Sequence, residues 1–317
     1  MRIVVKVGTS TLAHPTGRLN IQRMEKLCKV LSDLKNMGHE IILVSSGAIA
    51  MGFGKLNLSE RPKDVPTKQA SAAVGQCELM YIYDKLFTEY NHTVAQLLIT
   101  APDIEEGGVR KQNFHNTLAR LLELGALPVI NENDTISTEE FGIGDNDTLS
   151  AIVAVTIQAD LLILLSDIDG LFDGDPRKNP DAKLIDTVEK IDEHIISLGG
   201  GSGSNLGTGG MATKLRAAQM ATAAGCEMVI ANGQKLHNGL SRALPAYAYS
   251  RTGIIKPVDV NLNKVTVNDM EIPHKLEKNG LKIVIEPTDS YILNPGVYTY
   301  KFSYVINRNI WDYDDFY

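Results

Sequence analysis

Two lysines in this 317-residue sequence lie beside glycine-rich segments, a combination that suits anion binding. Lys6 ends an apolar, strand-like run and is followed by Gly-Thr-Ser at residues 8–10, and Lys214 closes the stretch GGGSGSNLGTGGMATK at residues 199–214. Glycines let backbone N–H groups converge on an anion, and a helix beginning near Met211 would add its partial positive charge. These features predict a polyphosphate site, and phosphoryl transfer is chemistry that two ammonium groups and backbone amides can support.

Each of these residues also has an ordinary structural explanation. Lys6 could extend past the strand end into solvent, although a lysine buried without an anion would cost several kcal/mol. The segment 199–214 could be a flexible linker that ends in a solvated lysine. Asp147 is a candidate to orient the two lysines, but it could equally be a helix N-cap, with Ser150 three residues later. The residue pattern alone leaves these alternatives open.

The elements that must position these groups alternate between strands and helices. Five apolar runs predict strands, at residues 3–6, 40–45, 128–131, 161–166 and 228–231. Their β-branched and leucine-rich composition is typical of a parallel sheet buried on both faces. Between them, apolar residues recur at helical spacing, as in Met24, Leu27, Leu31 and Leu34. The sequence therefore predicts an α/β fold with a doubly wound, mainly parallel sheet and helices on both faces.

Polar residues follow each predicted strand at its carboxyl end. They are the segment 8–10, Ser45-Ser46-Gly47, residues 131–134, Ser166-Asp167 and Asn232-Gly233. One such cluster is usually a turn or a helix cap. Five clusters at one sheet edge favour a ligand site, because open α/β sheets bind ligands outside the carboxyl ends of their strands.

Composition and charge argue against several classes of protein. The net charge of −7 argues against nucleic acid or an acidic membrane as partner, and no apolar run approaches the roughly 18 residues of a membrane helix. The widely spaced Cys28, Cys77 and Cys226 are interpreted as reduced, buried thiols in a cytoplasmic protein. The seven histidines lack ligand spacing, so no metal site is predicted.

The distribution of aromatic residues indicates a change of structure late in the chain. Residues 1–246 contain eight Tyr, Phe and Trp, whereas the last 71 residues contain eleven. Period-two patterns at 281–286 and 298–306 predict strands in this region. We therefore predict an α/β domain over residues 1–250 and a small β-rich tail over residues 251–317.

Several motifs together resemble the amino-acid kinase superfamily and, within it, the glutamate 5-kinases. They are KVGTS (6–10), VSSGAIAMG (44–52), QASAAVGQ (69–76), PVINEND (128–134), FGIGDNDTLSA (141–151), LLSDIDGLFDGDP (164–176) and GTGGMATK (207–214). The resemblance covers about residues 1–245. It implies ATP-dependent phosphorylation of the γ-carboxylate of L-glutamate, the first step of proline biosynthesis, with Mg²⁺ arriving on the nucleotide. It also suggests a cytoplasmic homo-oligomer with feedback by proline.

The resemblance assigns roles to residues at the matching positions. Lys6 and Lys214 would stabilise the transferring phosphoryl group, and Asp147 would organise them. Glutamate would be held by Ser46, Asp134 and Asn146. ATP would be bound by Lys6, Ser166, Asp167, Thr208, Gly209, Gly210, Met211, Ala212, Thr213 and Lys214.

The chain departs from the family after about residue 245. We find no recognisable C-terminal PUA domain, and the tail is expected to have no catalytic role. Two other interpretations remain for the whole chain. It could be a kinase of a different carboxylate, or a non-catalytic nucleotide- or amino-acid-binding protein, although the presence of both Lys6 and Lys214 argues against the second.

Overall fold

The computed structural model describes residues 1–14, 16–100, 103–104, 108–137, 145–179, 181–200 and 210–234, and the backbone of strands between residues 242 and 306. The chain divides into two units, Met1–Lys235 and Leu236–Tyr317. The first is an α/β unit, and the described part of the second consists of β-strands. Within the described residues, no helix has the length and apolar character needed to cross a membrane.

A six-stranded parallel sheet forms the centre of the first unit. Its strands are β1 (Arg2–Val7), β2 (Glu40–Ser45), β3 (Val94–Ile99), β4 (Leu127–Glu132), β5 (Leu161–Ser166) and β8 (Glu227–Asn232). They are arranged in the order β3-β4-β2-β1-β5-β8, so β1 is an interior strand with β2 and β5 as its neighbours. A separate antiparallel pair is formed by β6 (Leu171–Phe172) and β7 (Leu184–Ile185).

The predicted parallel sheet is confirmed, and so are its five predicted strands. The structure adds β3, which pairs with β4 at one edge of the sheet. The sequence pattern did not reveal this strand because it is only partly buried and Gln96 interrupts its apolar run.

Helices cover both faces of the sheet. They are α1 (Thr9–Leu12), α2 (Ile21–Asn36), α3 (Ala48–Lys55), α4 (Val65–Thr88), α5 (Val109–Glu123), α6 (Asn146–Thr156), α7 (Glu193–Ser197) and α8 (Met211–Ala223). Alternate β1 side chains enter different cores: Val4 packs in the cluster that contains Leu149 of α6, and Val5 packs in the cluster that contains Leu79 of α4. This alternation places Lys6 on the same face of the sheet as Val4 and α6.

Two glycines allow α3 and α4 to approach unusually closely. A Cβ atom on Gly75 would lie 1.8 Å from the Ala48 carbonyl oxygen, and one on Gly52 would lie 1.7 Å from that of Ser71. No larger residue fits either position without a backbone shift. Because α3 begins directly after the turn at the end of β2, this contact also fixes that turn.

The second unit contains antiparallel strand pairs. Its strands are β9 (Arg242–Pro245), β10 (Tyr247–Tyr249), β11 (Ile255–Pro257), β12 (Val260–Val267), β13 (Met270–Glu271), β14 (His274–Asn279), β15 (Lys282–Pro287) and β16 (Tyr300–Ile306). Strands β15 and β16 confirm the predicted strands at 281–286 and 298–306. The functional boundary at residue 250 stays a prediction.

One prediction about the cysteines is wrong. Cys28 and Cys226 are buried free thiols, as expected, but Cys77 is exposed on α4. Its neighbour Gln76 faces the protein interior, so the next position along the helix points towards solvent.

Candidate functional site

Lys6 and Lys214 converge on the carboxylate of Asp147. Lys6 Nζ lies 2.6 Å from Asp147 Oδ1, and Lys214 Nζ lies 2.9 Å from Asp147 Oδ2. The three residues are 8%, 5% and 1% exposed, so this is a buried triad with one more positive than negative charge. The Thr213 hydroxyl also donates to Asp147 Oδ2, at 2.9 Å. Both lysines therefore have fixed positions, and their excess positive charge suits an anion.

Three elements bring the triad together. Lys6 is near the carboxyl end of β1, Asp147 is in the first turn of α6, and Lys214 is in the first turn of α8. The N-cap of α6 is Asp145, whose carboxylate accepts a hydrogen bond from the Thr148 N–H group. Asp147 is thus not the N-cap, and its carboxylate is available to pair with the lysines.

The surroundings of Asp147 favour its ionised form. Burial by itself raises the pKa of this carboxyl group, but the charges of Lys6 and Lys214 outweigh that effect and lower it. The pKa of Asp145 is instead raised, mainly by burial. Two carboxyl groups in one helical turn therefore differ in their electrostatic environment, and only Asp147 bridges both lysines.

A second group of polar residues lies at the ends of β2 and β4. Asn146 Nδ2 is 2.7 Å from Ser46 Oγ and 3.0 Å from Asn131 Oδ1. Asn131 Nδ2 in turn donates to Gln76 Oε1 at 3.0 Å. The structure thus brings two residues of the predicted acceptor site, Ser46 and Asn146, into direct contact. The sequence analysis placed Asn131 in a polar cluster without giving it a role, and it did not single out Gln76, although both lie within the quoted motifs.

Asp134, the third predicted acceptor-site residue, follows β4. Burial, together with the charge of Glu132, raises the pKa of its carboxyl group to about 7. Glu132 itself accepts a hydrogen bond from the Ser137 hydroxyl at 2.7 Å. A partly buried carboxylate that is costly to ionise would be stabilised by a bound cation, such as the ammonium group of an amino acid.

A pocket lined in part by Lys214 lies beside the end of β5 and the first turn of α8. Among its lining residues are the predicted Ser166, Asp167, Gly210, Met211 and Lys214. The lining residues that sequence reasoning missed include Ile168, Leu171, Phe172, Arg177 and Leu198. The apolar members of this set could pack against a nucleotide base.

The remaining residues predicted to bind ATP do not line this pocket or lie outside the described residues. The Thr213 hydroxyl contacts Asp147 and is not among the pocket's lining residues, and Ala212 is exposed, with its backbone close to Gly199. Thr208 and Gly209 lie outside the described residues. Arg177, which was missed, donates to Asp167 Oδ2 at 3.1 Å. Its position in the segment DGDPR after β6 gave no spacing signal that could have placed it here.

Comparison with known proteins identifies relatives of the first unit. The family model described as the amino acid kinase family matches residues 1–232. The glutamate 5-kinase of Clostridium acetobutylicum is 56% identical over 234 residues, which are 74% of this chain and 87% of that protein. The glutamate 5-kinase of Caldanaerobacter subterraneus is 55% identical over 242 residues, which are 76% of this chain but only 64% of that longer protein.

Solved structures share the fold at much lower identity. The isopentenyl phosphate kinase of T. acidophilum superimposes with a TM-score of 0.51 at 19% identity, covering 74% of this chain and 92% of that one. The carbamate kinase of Giardia lamblia gives a TM-score of 0.51 at 13% identity, over 74% of this chain and 93% of that one. These likenesses support the fold and say nothing about the acceptor.

Proposed function

The chain belongs to the amino acid kinase family, and on this basis we propose that it transfers the γ-phosphoryl group of ATP to the γ-carboxylate of L-glutamate. The product is the acyl phosphate L-glutamyl 5-phosphate, as in the first step of proline biosynthesis. The observation that carries this proposal is the buried triad, in which Asp147 holds Lys6 and Lys214. Lys214 also lines the pocket proposed for the nucleotide, and Asp147 follows Asn146 of the proposed acceptor site in the first turn of α6.

In this reaction an oxygen of the γ-carboxylate attacks the γ-phosphorus, and the bond between that phosphorus and the bridging oxygen of ADP breaks. Charge accumulates on the peripheral and bridging oxygens, where Lys6 and Lys214 would stabilise it. Asp147 would keep both ammonium groups in place before the phosphates arrive. A carboxylate nucleophile is already ionised at neutral pH, so no general base is needed.

We propose that Ser46, Asn146 and Asp134 bind glutamate. The Ser46 hydroxyl or the Asn146 amide, which share a hydrogen bond, would donate to a carboxylate, and Asp134 would accept from the ammonium group. This division explains why Asp134 lies in surroundings that disfavour its charge. The bound ammonium group would supply the missing positive partner.

On the nucleotide side, Ser166, Asp167 and residues 208–214 are proposed to hold ATP, with Phe172 and its apolar neighbours beside the base. The described residues contain no cluster of three or more acidic, histidine or cysteine side chains able to hold a metal. Two carboxylates of this site, Asp147 in the triad and Asp167 in the pocket lining, are already paired with cations. Mg²⁺ would therefore be held mainly by the phosphates and water, where it would neutralise phosphate charge.

We assign the activity to the predicted domain of residues 1–250 and no catalytic role to the tail of residues 251–317. A cytoplasmic location, assembly into a homo-oligomer and feedback by proline belong to the same proposal. Each follows from the family resemblance rather than from a contact in the structure.

The deciding experiment measures ADP release from Mg-ATP with L-glutamate, N-acetylglutamate, L-aspartate, carbamate and UMP in parallel. Hydroxylamine in the same reaction converts an acyl phosphate into a hydroxamate. We expect ADP release and hydroxamate formation with L-glutamate alone. Turnover with another acceptor would identify a different substrate. Binding of ATP without turnover on any acceptor would favour a non-catalytic binding protein.

A further inference from the structure

A chain of three amides connects helix α4 with the first turn of α6. Asn146 Nδ2 lies 3.0 Å from Asn131 Oδ1, and Asn131 Nδ2 lies 3.0 Å from Gln76 Oε1. Asn146 Nδ2 also lies 2.7 Å from Ser46 Oγ and 3.3 Å from the Ser45 carbonyl oxygen. An amide nitrogen carries two hydrogens, so Asn146 Nδ2 cannot donate to all three of these acceptors at once.

The two ends of this amide chain carry unsatisfied atoms. Among the residues that the structure describes, Asn146 Oδ1 and Gln76 Nε2 are buried and lack a hydrogen-bond partner. Buried polar atoms normally find partners, because leaving one unpaired costs free energy. The arrangement thus has an unused acceptor at the Asn146 end and an unused donor at the Gln76 end.

Rotating all three amides by half a turn reverses the direction of the hydrogen bonds while keeping the same contacts. Gln76 Nε2 then donates to Asn131 Oδ1, and Asn131 Nδ2 donates to Asn146 Oδ1, which also accepts from the Ser46 hydroxyl. Asn146 Nδ2 now occupies the position of the formerly unpaired oxygen, with both hydrogens available. Among the bonds of the amide chain, the long 3.3 Å bond to the Ser45 carbonyl is lost.

We propose that Gln76 is a positioning residue that sets the hydrogen-bonding direction of Asn146 through Asn131. The inference rests on the proposed function, in which Asn146 faces a carboxylate of glutamate. A carboxylate at the unpaired end of the Asn146 amide requires a donor there, so its binding selects the reversed direction, in which Ser46 donates to Asn146 and Asn146 donates to glutamate. Gln76 then supplies the donor that completes the amide chain, although it lies in α4 and reaches the substrate only through two other side chains.

The substitution Gln76→Glu tests the direction of the amide chain directly. An ionised carboxylate accepts hydrogen bonds but cannot donate one, so it holds the chain in its unliganded direction. At pH 8 we expect the KM for glutamate to rise about tenfold, with a much smaller change in kcat, because one buried hydrogen bond is lost only when substrate is bound.

A pH series separates this effect from a structural defect. Burial favours the protonated form of the introduced carboxyl group, which then regains a donor. The ratio of the variant KM to the wild-type KM should therefore fall towards one between pH 8 and pH 6. Wild-type protein at each pH corrects for charged and titratable groups of the surrounding elements, which include Lys6, Lys55, Tyr83, Glu132, Asp134 and Asp147.

Two further variants serve as controls. Tyr83→Phe removes another buried hydrogen bond of α4, the 2.8 Å contact with Ser45 Oγ, without entering the amide chain. It should lower thermal stability and leave the KM unchanged. Gln76→Met keeps a similar volume without a donor or acceptor, so its KM should rise by a few-fold and its ratio to wild type should not vary with pH.

The proposal is overturned if the Gln76→Glu ratio is near one at pH 8, or if it is the same at pH 8 and pH 6. If that variant does not fold, Gln76→Met decides, and a wild-type KM would overturn the proposal. Glutamate-dependent turnover of the wild-type protein is measured in the same experiment, so failure of the proposed function is seen separately.

Discussion

Replacing Asp147 by asparagine should destabilise the protein strongly, because it removes the anion that holds two buried ammonium groups. The carboxylate is 1% exposed and contacts Lys6 and Lys214 at 2.6 and 2.9 Å. Removing one partner of a buried ion pair typically costs about 3–5 kcal/mol. For a unit of this size, each kcal/mol lowers the melting temperature by about 2–4 °C, so we expect a decrease on the order of 10 °C.

The assay is thermal unfolding at low ionic strength, with and without Mg-ATP. Asp145→Asn is the matched control, because it makes the same chemical change two residues away and asparagine is an equally good N-cap. If charge is the cause, Mg-ATP should raise the melting temperature of Asp147→Asn more than that of the wild type. Equal melting temperatures for Asp147→Asn, Asp145→Asn and wild type would refute the reasoning.

The difference in stability between the wild type and Asp147→Asn should depend on pH in a defined direction. Because folding lowers the pKa of Asp147, its charge stabilises the fold above the ordinary value of 3.8, and this contribution is lost as the pH falls through the lower folded pKa. The stability gap between the wild type and Asp147→Asn should therefore persist at about pH 5 and close only in stronger acid.

Three other changes test separate parts of the site. Lys214→Ala should lower kcat about 100-fold or more and change the KM for glutamate much less, because the phosphate charge that Lys214 stabilises develops in the transition state. The control is Arg216→Ala, which removes an exposed positive charge from the same helix. Equal effects of Lys214→Ala on kcat and KM would indicate a lysine that only binds. The KM of the wild type for glutamate should rise as the pH falls below about 7, where Asp134 becomes protonated. Asp134→Asn should have a high KM that varies little with pH. A wild-type KM that is constant from pH 8 to 6 would contradict the binding of the ammonium group by Asp134. Gly75→Ala should destabilise the fold by about 1–3 kcal/mol, measured by urea unfolding, because its Cβ would lie 1.8 Å from a backbone oxygen; unchanged stability would show that α3 and α4 can separate without cost.

The fold was largely predictable because its signals are local and strong. Runs such as Ile41–Val44 are buried on both faces of the sheet, and an unbroken run of β-branched residues and leucine predicts such burial. Strand β3 escaped prediction because an edge strand is half-exposed and tolerates Gln96. The exposure of Cys77 was missed because cysteine is usually buried. Here its position on the solvent-facing side of α4 decides its exposure instead.

The residues of the candidate site could be proposed from the sequence, but their arrangement in space could not. Lys6, Asp147 and Lys214 could be selected from their surroundings in sequence, yet their convergence depends on the arrangement of β1, α6 and α8. Asn131 and Gln76 are 55 residues apart, and no spacing rule relates them. Contacts of this kind arise from tertiary packing alone.

The strand order would give the two proposed ligands separate supports. Strands β2, β4 and β3 lie on one side of β1, and β5 and β8 lie on the other. Ser46 and Asn131 belong to the first flank, whereas Ser166 belongs to the second, and β1 with its lysine is common to both. If the ligands bind as proposed, substitutions in one flank could change the acceptor while the other flank keeps binding the nucleotide. Because β2, β3 and β4 precede β5 and β8 in the chain, a single crossover between β4 and β5 would produce chimaeras that recombine the proposed acceptor and nucleotide halves.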